Sequence, residues 1–400
     1  MSPAQAETTG EEAAGLYLHV PFCSRICPYC DFAVLTAKAP RRREFVDWLL
    51  AEIALERDFP VAFDTVYLGG GTPSILELED LERLLLGARE RFELHADTRF
   101  FLEANPEDVS GENLAGWRAL GFETLSLGVQ SFDDAELAFL GRRHDGTGAR
   151  ASVEQALAAG FSTVSLDLIF GLPGQTRETF RGNLEAAITL GVQHVSCYQL
   201  TIHEDTAFGR AKERGKLREL PEPEQAELFL LAQDVLGTAG FECYEVSNYA
   251  RTPEHQSRHN RKYWRHVPYL GLGPSAHSFD GRSRWWNERA LKDWRAKLEL
   301  GMDPVEGAER LTDEQLALEA VMFGMRTAAG IDLEAFRRRF GIDLEAQNRE
   351  RITKLGTEGL VICEAGRLRP TVKGLAVADG LAAGFELRTD RPFTAPSRES

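Results

Sequence analysis

Three cysteines, Cys23, Cys27 and Cys30, stand in a Cys-x3-Cys-x2-Cys spacing. Three thiolates within eight residues can wrap a short loop around one metal centre, because each intervening segment is long enough to turn the backbone and aim sulfur inward. A structural zinc site is closed and tetrahedral, and its motifs normally bring a second Cys or His pair at recognisable spacing downstream. None is evident here. Iron–sulfur clusters take Cys thiolates, usually four per cube, so a trio implies one iron open to another ligand. A disulfide framework fails, because three thiols cannot pair internally and Cys197, Cys243 and Cys363 are scattered. The plain alternative is three unrelated thiols in a loop.

Other stretches carry polar groups that could complete such a site. Gly69-Gly70-Gly71-Thr72-Pro73 has three consecutive glycines, which let backbone N–H and C=O approach a ligand without a Cβ between, although such triplets also make ordinary turns. Glu103-Ala104-Asn105-Pro106, Gly128-Val129-Gln130-Ser131-Phe132 and residues 167–175, beginning with Asp167, add a carboxylate, an amide and a second carboxylate. Each alone reads equally well as a surface residue. Together, behind a three-cysteine loop, they are better explained as one polar site. Further on, His259-Asn260-Arg261-Lys262-Tyr263-Trp264 and residues 269–278 set histidines and aromatics side by side, with glycines that let the chain pass close to something bulky. Such groups suit a planar macrocycle, with imidazole as iron ligand and rings stacking on it; the same residues serve equally as packing.

The elements that must position these groups follow from periodicity. Six short apolar runs, at 16–20, 64–68, 99–103, 124–128, 163–170 and 194–200, alternate with helical pattern, as in a parallel sheet built from βα units. In the helical segment 45–57, Val46, Leu49, Leu50 and Ile53 share one face; in 78–89, Leu81, Leu84, Leu85 and Ala88 do the same. Those faces cover the sheet from outside. Six units predict an α/β chain with an incomplete barrel, and barrel sites form from loops at the C-terminal ends of strands. The polar stretches stand at those ends.

After the sixth strand the repeat stops. Residues 201–220 read as a polar loop with a short helix, 221–237 as an amphipathic helix and 241–246 as a further strand. From about Gly301 the chain turns helical and acidic. Helices are expected at 313–326, 333–340 and 344–358, β runs at 360–363 and 367–370 around Ala365-Gly366, and a last helix at 371–383. The expected division is a disordered tail over 1–14, a barrel domain with its extension over 15–300, an α+β C-terminal domain over 301–386, and a disordered tail over 387–400.

At 400 residues the chain suffices for one large α/β domain and a smaller appendage. A net charge of -16 argues against a broad nucleic-acid surface, which needs concentrated Lys and Arg. The basic runs at 41–43 and 337–339 read as solvated helix faces. Six cysteines, three of them in a metal loop, fit a reducing compartment. The first fourteen residues lack the basic and apolar regions of a secretory signal, and no apolar run reaches the roughly eighteen residues of a membrane span. The expectation is a cytoplasmic protein, with any membrane contact peripheral.

The run Tyr17-Leu18-His19-Val20-Pro21-Phe22-Cys23, followed by the other two cysteines, resembles the radical S-adenosylmethionine (SAM) superfamily. Within it, the chain looks like the branch that contains oxygen-independent coproporphyrinogen III dehydrogenase and the HemW haem chaperones, over about residues 15–381. The resemblance implies a partial, TIM-like (βα)6 radical SAM barrel with the cluster loop after strand one, and a winged-helix-like C-terminal domain. It also implies a 4Fe-4S cluster whose open iron binds the amino and carboxylate groups of SAM, and a reductive cleavage in which the cofactor carries the hard step. By the same resemblance Gly71 and Thr72 contact the SAM amino group. Glu103, Gln130, Arg142 and Asp167 join the pocket, the carboxylates holding ribose hydroxyls or ammonium and Arg142 pairing the SAM carboxylate. Tyr17 and Tyr29 would sit beside the cluster and adenine. No protein side chain is singled out as catalytic.

Position 32 separates the members of this branch. In the dehydrogenase a further cysteine follows two residues after the third, where this chain has Phe32. Haem-chaperone members resemble this chain in carrying Phe there together with a His-Asn-x-x-Tyr-Trp stretch, which implies haem contact by His259, Tyr263 and Trp264. The expected function is a haem carrier that keeps a 4Fe-4S cluster and SAM and delivers haem to a recipient haem protein, with a dimer left open. The rival is a radical enzyme of porphyrin biosynthesis that decarboxylates coproporphyrinogen III, disfavoured by Phe32; fold alone does not choose between them. A radical RNA-modifying enzyme is disfavoured by the acidic balance.

Overall fold

The structure, a computed structural model, describes residues 12–56, 59 and 61–388. Alternation along its strands decides the architecture. Six parallel strands lie side by side in chain order: β1 (Ala14–Val20), β2 (Phe63–Gly70), β3 (Leu94–Ala104), β4 (Phe122–Gln130), β5 (Thr163–Phe170) and β6 (His194–Gln199). A parallel sheet wound in sequence through right-handed crossovers puts its helices on one face. These are α1 (Ala39–Leu55), α2 (Leu78–Arg91), α3 (Gly111–Leu120), α5 (Gly146–Ala158) and α6 (Arg177–Leu190), whereas Phe139 of the short α4 (Asp134–Phe139) packs with Ile169 and Phe208 in a separate cluster.

One set of alternate strand residues, Leu16, Leu18, Val66, Leu68, Leu102, Leu125, Leu127, Leu166 and Leu168, packs in a single buried cluster with Leu49, Leu84, Trp117, Val153 and Phe180 of the helices. The other set includes Tyr67, Glu103, Ser126, Ser165, Asp167 and Ser196, and it lines cavities on the opposite face. Period two thus sorts the strands into an apolar face that holds the helices and a polar face able to hold a ligand. The expected α/β partial barrel is this six-unit core.

The sheet continues at both edges. β7 (Glu242–Cys243) and β8 (Asn248–Ala250) extend it beyond β6. Beyond β1 lie β9 (Tyr269–Leu272), parallel to β1, then antiparallel β10 (His277–Phe279), β11 (Ser283–Asn287) and β12 (Val305–Arg310). Helices α7 (Ala207–Glu213), α8 (Glu222–Thr238), α9 (Asn260–Trp264) and α10 (Leu291–Glu299) belong to these extensions. The strand expected over 241–246 stops at Cys243. There the chain turns away, because Val246 N donates to Arg326 O at 2.9 Å and Glu245 bridges Thr327. The larger sheet also runs past position 300, since β12 pairs with β11.

The remaining residues build a second cluster. It comprises α11 (Asp313–Gly324), β13 (Ile331–Asp332), α12 (Leu333–Phe340), α13 (Leu344–Gln347), α14 (Arg349–Thr357), the hairpin β14 (Val361–Glu364) and β15 (Arg367–Pro370), α15 (Val372–Leu375) and α16 (Ala378–Ala382). Leu316, Val321, Phe336, Phe340, Ile352, Leu368 and Leu381 form its core. The single helix expected over 344–358 breaks at Asn348. The buried Asn348 amide donates to Leu344 O and Glu386 O, each at 2.9 Å, and accepts from Glu386 N at 2.7 Å. That clamp draws the chain end inward, so Arg388, expected in the disordered tail, donates its N–H to Gln347 Oε1 at 2.9 Å. At the other end Ala14, also assigned to a tail, starts β1. Residues 1–11 and 389–400 of the expected tails, and Arg57 at the end of the first expected helix, lie outside the described residues.

Candidate functional site

β1 delivers the chain through Pro21 and Phe22 into the cysteine loop, whose root is pinched shut. Leu35 N donates to Pro21 O at 2.7 Å and Cys23 N donates to Leu35 O at 3.0 Å. The glycines after β2 seat this root. A Cβ on Gly71 would fall 2.6 Å from Phe22 O, and Gly70, at φ +104°, would place one 2.6 Å from the His19 ring. The clearance expected for a ligand is thus filled mostly by the protein's own loop, while Gly71 keeps a face on the cleft.

Cys23, Cys27 and Cys30 are unpaired, half-buried, and line one cleft with about 1320 Å3 of open space. A polar chain connects two of them. Thr72 Oγ1 donates to Cys23 Sγ at 3.5 Å, Asn105 Nδ2 donates to Thr72 Oγ1 at 3.0 Å, Arg142 donates to Asn105 Oδ1 at 2.6 Å, and its other terminal nitrogen donates to Cys27 Sγ at 3.5 Å. Arg142, rather than neighbouring Arg143, enters the cleft. Its Nε is buried without a hydrogen-bond partner among the described residues, a donor left over for an anionic group. Burial pushes the Cys23 thiol up to about 11 and raises Cys30 as well.

Two carboxylates face the same cleft from β3 and β5. Glu103 accepts from Tyr67 OH at 2.7 Å and from Gly70 N at 3.1 Å, yet burial, assisted by Asp167, holds its pKa up at about 7. Asp167, beside Ser126 Oγ at 3.3 Å, is raised by burial to about 6. Gln130, at the end of β4, has φ 68°, a left-handed backbone that a non-glycine residue adopts only under local constraint. Three carboxylates, Asp31, Glu103 and Asp167, against two guanidiniums, Arg25 and Arg142, make a site suited to a zwitterionic, partly cationic ligand.

Seven of the expected SAM residues, Tyr29, Gly71, Thr72, Glu103, Gln130, Arg142 and Asp167, line the cysteine cleft. Tyr17 does not. It lines an adjoining cleft of about 920 Å3 with His19, Phe32, Tyr263, Tyr269, His277 and Arg289, and the two clefts share Asp31, Phe32, Gly70 and Glu103.

Of the three expected haem residues, His259 and Tyr263 touch each other, but only Tyr263 lines one of the two clefts. His259 is 1% exposed, with Nδ1 at 2.9 Å from Thr65 Oγ1 and Nε2 at 2.8 Å from Tyr263 OH, so in this fold both ring nitrogens are occupied. Lys262 and Arg258 pair with Asp64 at 2.6 and 2.7 Å, which fixes α9 across the N-terminal ends of β1 and β2, away from the cysteine loop. Tyr263 reaches the second cleft, and Trp264 packs on Phe323.

Asn105, Tyr67 and Tyr198 were not singled out from sequence. Tyr67, which lines a neighbouring cavity, and Tyr198 follow from strand parity; Asn105 had only its place before Pro106.

The donor set fits a 4Fe-4S cluster. Three thiols share one wall, a guanidinium opposes their charge, and the facing wall is polar. Among the described residues no three His, Cys, Asp or Glu side chains converge on a single ion; a cube spaces its ligands more widely than one tetrahedral zinc does.

Comparison with known proteins agrees with this geometry. Residues 17–187 match the Radical SAM superfamily and residues 311–377 match the HemN C-terminal domain. The fold superposes on the coproporphyrinogen III oxidase HemN of Escherichia coli with a TM-score of 0.80 at 23% identity, covering 93% of this chain and 90% of that one. "Heme chaperone HemW" of Mycobacterium tuberculosis is 38% identical over 377 residues, 92% of this chain and 93% of its own. The chain belongs to the HemW family. "Heme chaperone HemW" of Lactococcus lactis is 34% identical, over 93% of this chain and 97% of its own. The Radical SAM match spans β1 to most of α6, and the HemN C-terminal match spans α11 to α15 of this HemW-family chain.

Proposed function

We propose that this chain is a haem chaperone that binds haem and passes it to a recipient haem protein. In this reading Cys23, Cys27 and Cys30 hold a 4Fe-4S cluster, and the polar wall of the same cleft holds SAM. The observation that carries the haem part is similarity along nearly the whole chain to proteins named heme chaperone. Phe32 supports it: its ring is 64% exposed at the mouth shared by the two clefts, an apolar flat face where the dehydrogenase branch would place a further thiol.

A reduced cluster, when bound, supplies a single electron to SAM. The chain's own groups orient the ligand. Arg142 offers its unpartnered Nε to a carboxylate and offsets thiolate charge at Cys27. Glu103 and Asp167, raised by burial, ionise most readily against a cation, so they select the ammonium and sulfonium of SAM. Tyr67 and Gly70 fix Glu103 in place.

Of the haem residues suggested by resemblance, Tyr263 already lines a cleft, whereas His259 would meet iron only by giving up its bonds to Thr65 and Tyr263. We divide the functional units after Arg310, where the larger sheet ends, with the C-terminal unit packing on the barrel extension. A cytoplasmic setting is supported by six free cysteines. No helix of the described residues is long and apolar enough to cross a membrane.

Protein reconstituted with iron and sulfide without oxygen tests the reading. Offered haem, it takes it up stoichiometrically; offered coproporphyrinogen III, SAM and a reductant, it forms no protoporphyrinogen. Porphyrinogen turnover with no haem uptake would favour the decarboxylating enzyme instead.

A further inference from the structure

We propose that haem seats in the second cleft, beside the cysteine loop, with the His277 imidazole as its iron ligand and the Arg289 guanidinium on a propionate. This assignment rests on the haem-carrying reading above and says where on the chain the haem sits.

The histidines of this region differ in which ring nitrogens are free. His259 has both nitrogens engaged, and His19, the other histidine facing this cleft, is buried and bonded to Tyr17 OH at 3.1 Å. His277 is exposed, lines the cleft, and its ring has no hydrogen-bond partner among the described residues. That ring stacks on Trp286 across the β10–β11 pair, with centroids 6.0 Å apart, and this contact fixes its orientation while leaving its nitrogens open.

The rest of the cleft suits a flat amphipathic ring. A cavity volume of about 370 Å3 lies within the range of roughly 300–1,000 Å3 typical of small-molecule clefts. Tyr17, Phe32 and Tyr269 supply aromatic faces. Arg289 is exposed and donates one N–H to Asp31 O at 2.9 Å, which holds it at the rim with further donors turned to no partner among the described residues. A guanidinium has five donors in a fork that matches a carboxylate. The position also gives the β9–β11 extension a purpose, since it builds a cleft that shares Phe32 and Glu103 with the SAM cleft, so the two ligands would meet across one phenyl ring.

The test titrates cluster-reconstituted full-length protein with hemin and, separately, with metal-free protoporphyrin IX. His277→Ala should weaken hemin at least about tenfold and move the Soret maximum, while protoporphyrin IX binding stays within about twofold of wild type. His277→Met should recover part of the hemin affinity with a different Soret and EPR signature, because a thioether also ligates haem iron. Arg289→Ala should weaken both porphyrins, by roughly tenfold, through loss of a charge-assisted pair. His259→Ala should leave the hemin spectrum in place. Wild-type affinity and spectrum in His277→Ala would overturn the assignment, as would equal losses of hemin and protoporphyrin IX, which mean packing rather than ligation. If the wild-type protein takes up no hemin at all, the haem-carrying reading itself fails.

Discussion

Arg142 lies 3.5 Å from the Cys27 sulfur, and its terminal nitrogen on the other side grips Asn105 Oδ1 at 2.6 Å and Gly128 O at 2.7 Å. One side chain therefore ties the cysteine loop to the ends of β3 and β4 and still keeps Nε unpartnered. Lysine offers a point charge in place of this fork. Arg142→Lys should keep its iron but bind SAM about tenfold to a hundredfold more weakly, from one or two charge-assisted hydrogen bonds lost. Equilibrium SAM binding to the reconstituted variant measures this, and unchanged affinity would place the SAM carboxylate elsewhere.

Glu103 sets a pH dependence on the same binding. Burial holds its pKa up at about 7, so it is mostly neutral at pH 6 and mostly ionised at pH 8. A cationic ligand binds the ionised form. SAM affinity should therefore rise with pH over that interval, and binding near pH 6 should release protons into the buffer. Calorimetry in buffers of different ionisation enthalpy reads the release directly. Glu103→Gln should make the profile shallower and shift it toward pH 6, where Asp167 still titrates; an equally steep profile in the variant would move the effect to another group.

How much of this was legible beforehand depends on how local each signal is. The cysteine spacing and the strand-end residues are short-range patterns, and seven expected SAM residues meet in one cleft because every strand of a sequentially wound sheet ends on the same rim. Tyr17 lies three residues before the end of β1 and faces the neighbouring cleft. Signals fail where a distant partner decides. The hydrogen bonds that hold the His259 stretch were not legible, because Thr65 and Asp64 lie nearly two hundred residues away. Asn348 breaks a well-patterned helix because Glu386 is there to bind it. The strand at Glu242 is cut short by Arg326 for the same reason. β12 was missed because its sequence, VEGAER, shows no apolar alternation, and most of it is exposed at the sheet edge.

Cys27 tests the loop apart from the barrel. It is half-buried at a rim, outside the helix-to-sheet core. Cys27→Ala should lose the visible thiolate-to-iron absorbance while its far-UV circular dichroism and thermal midpoint stay near wild type. Full iron content in the variant would contradict the three-thiolate site.

Glu52 links α1 to the sheet extension and predicts how stability varies with pH. It is 1% exposed and accepts from Gly273 N at 2.8 Å, Asn287 Nδ2 at 2.5 Å and Trp294 Nε1 at 3.0 Å. Burial raises its pKa from 4.5 to about 8. The folded chain thus holds this proton more tightly than the unfolded chain, so the stabilisation is complete below about pH 4.5 and is lost as pH rises through about 8. Glu52→Gln should be less stable at pH 6, by about 1–3 kcal/mol, because N–H donors face both carboxyl oxygens and an amide nitrogen, unlike a carboxyl oxygen, cannot accept. Between pH 6 and pH 9 the wild type should lose more stability than the variant. Denaturant titrations at the two values check this, and parallel losses would assign the dependence to other groups.

The central claim is a chain that holds a cluster at three cysteines and a haem beside it. Anaerobic reconstitution followed by counting iron, sulfide and haem per chain tests it most directly. The account predicts about four irons and four sulfides in the cluster, with roughly one haem bound in addition. Zinc at the cysteine loop, or a full cluster with no haem uptake, would contradict it.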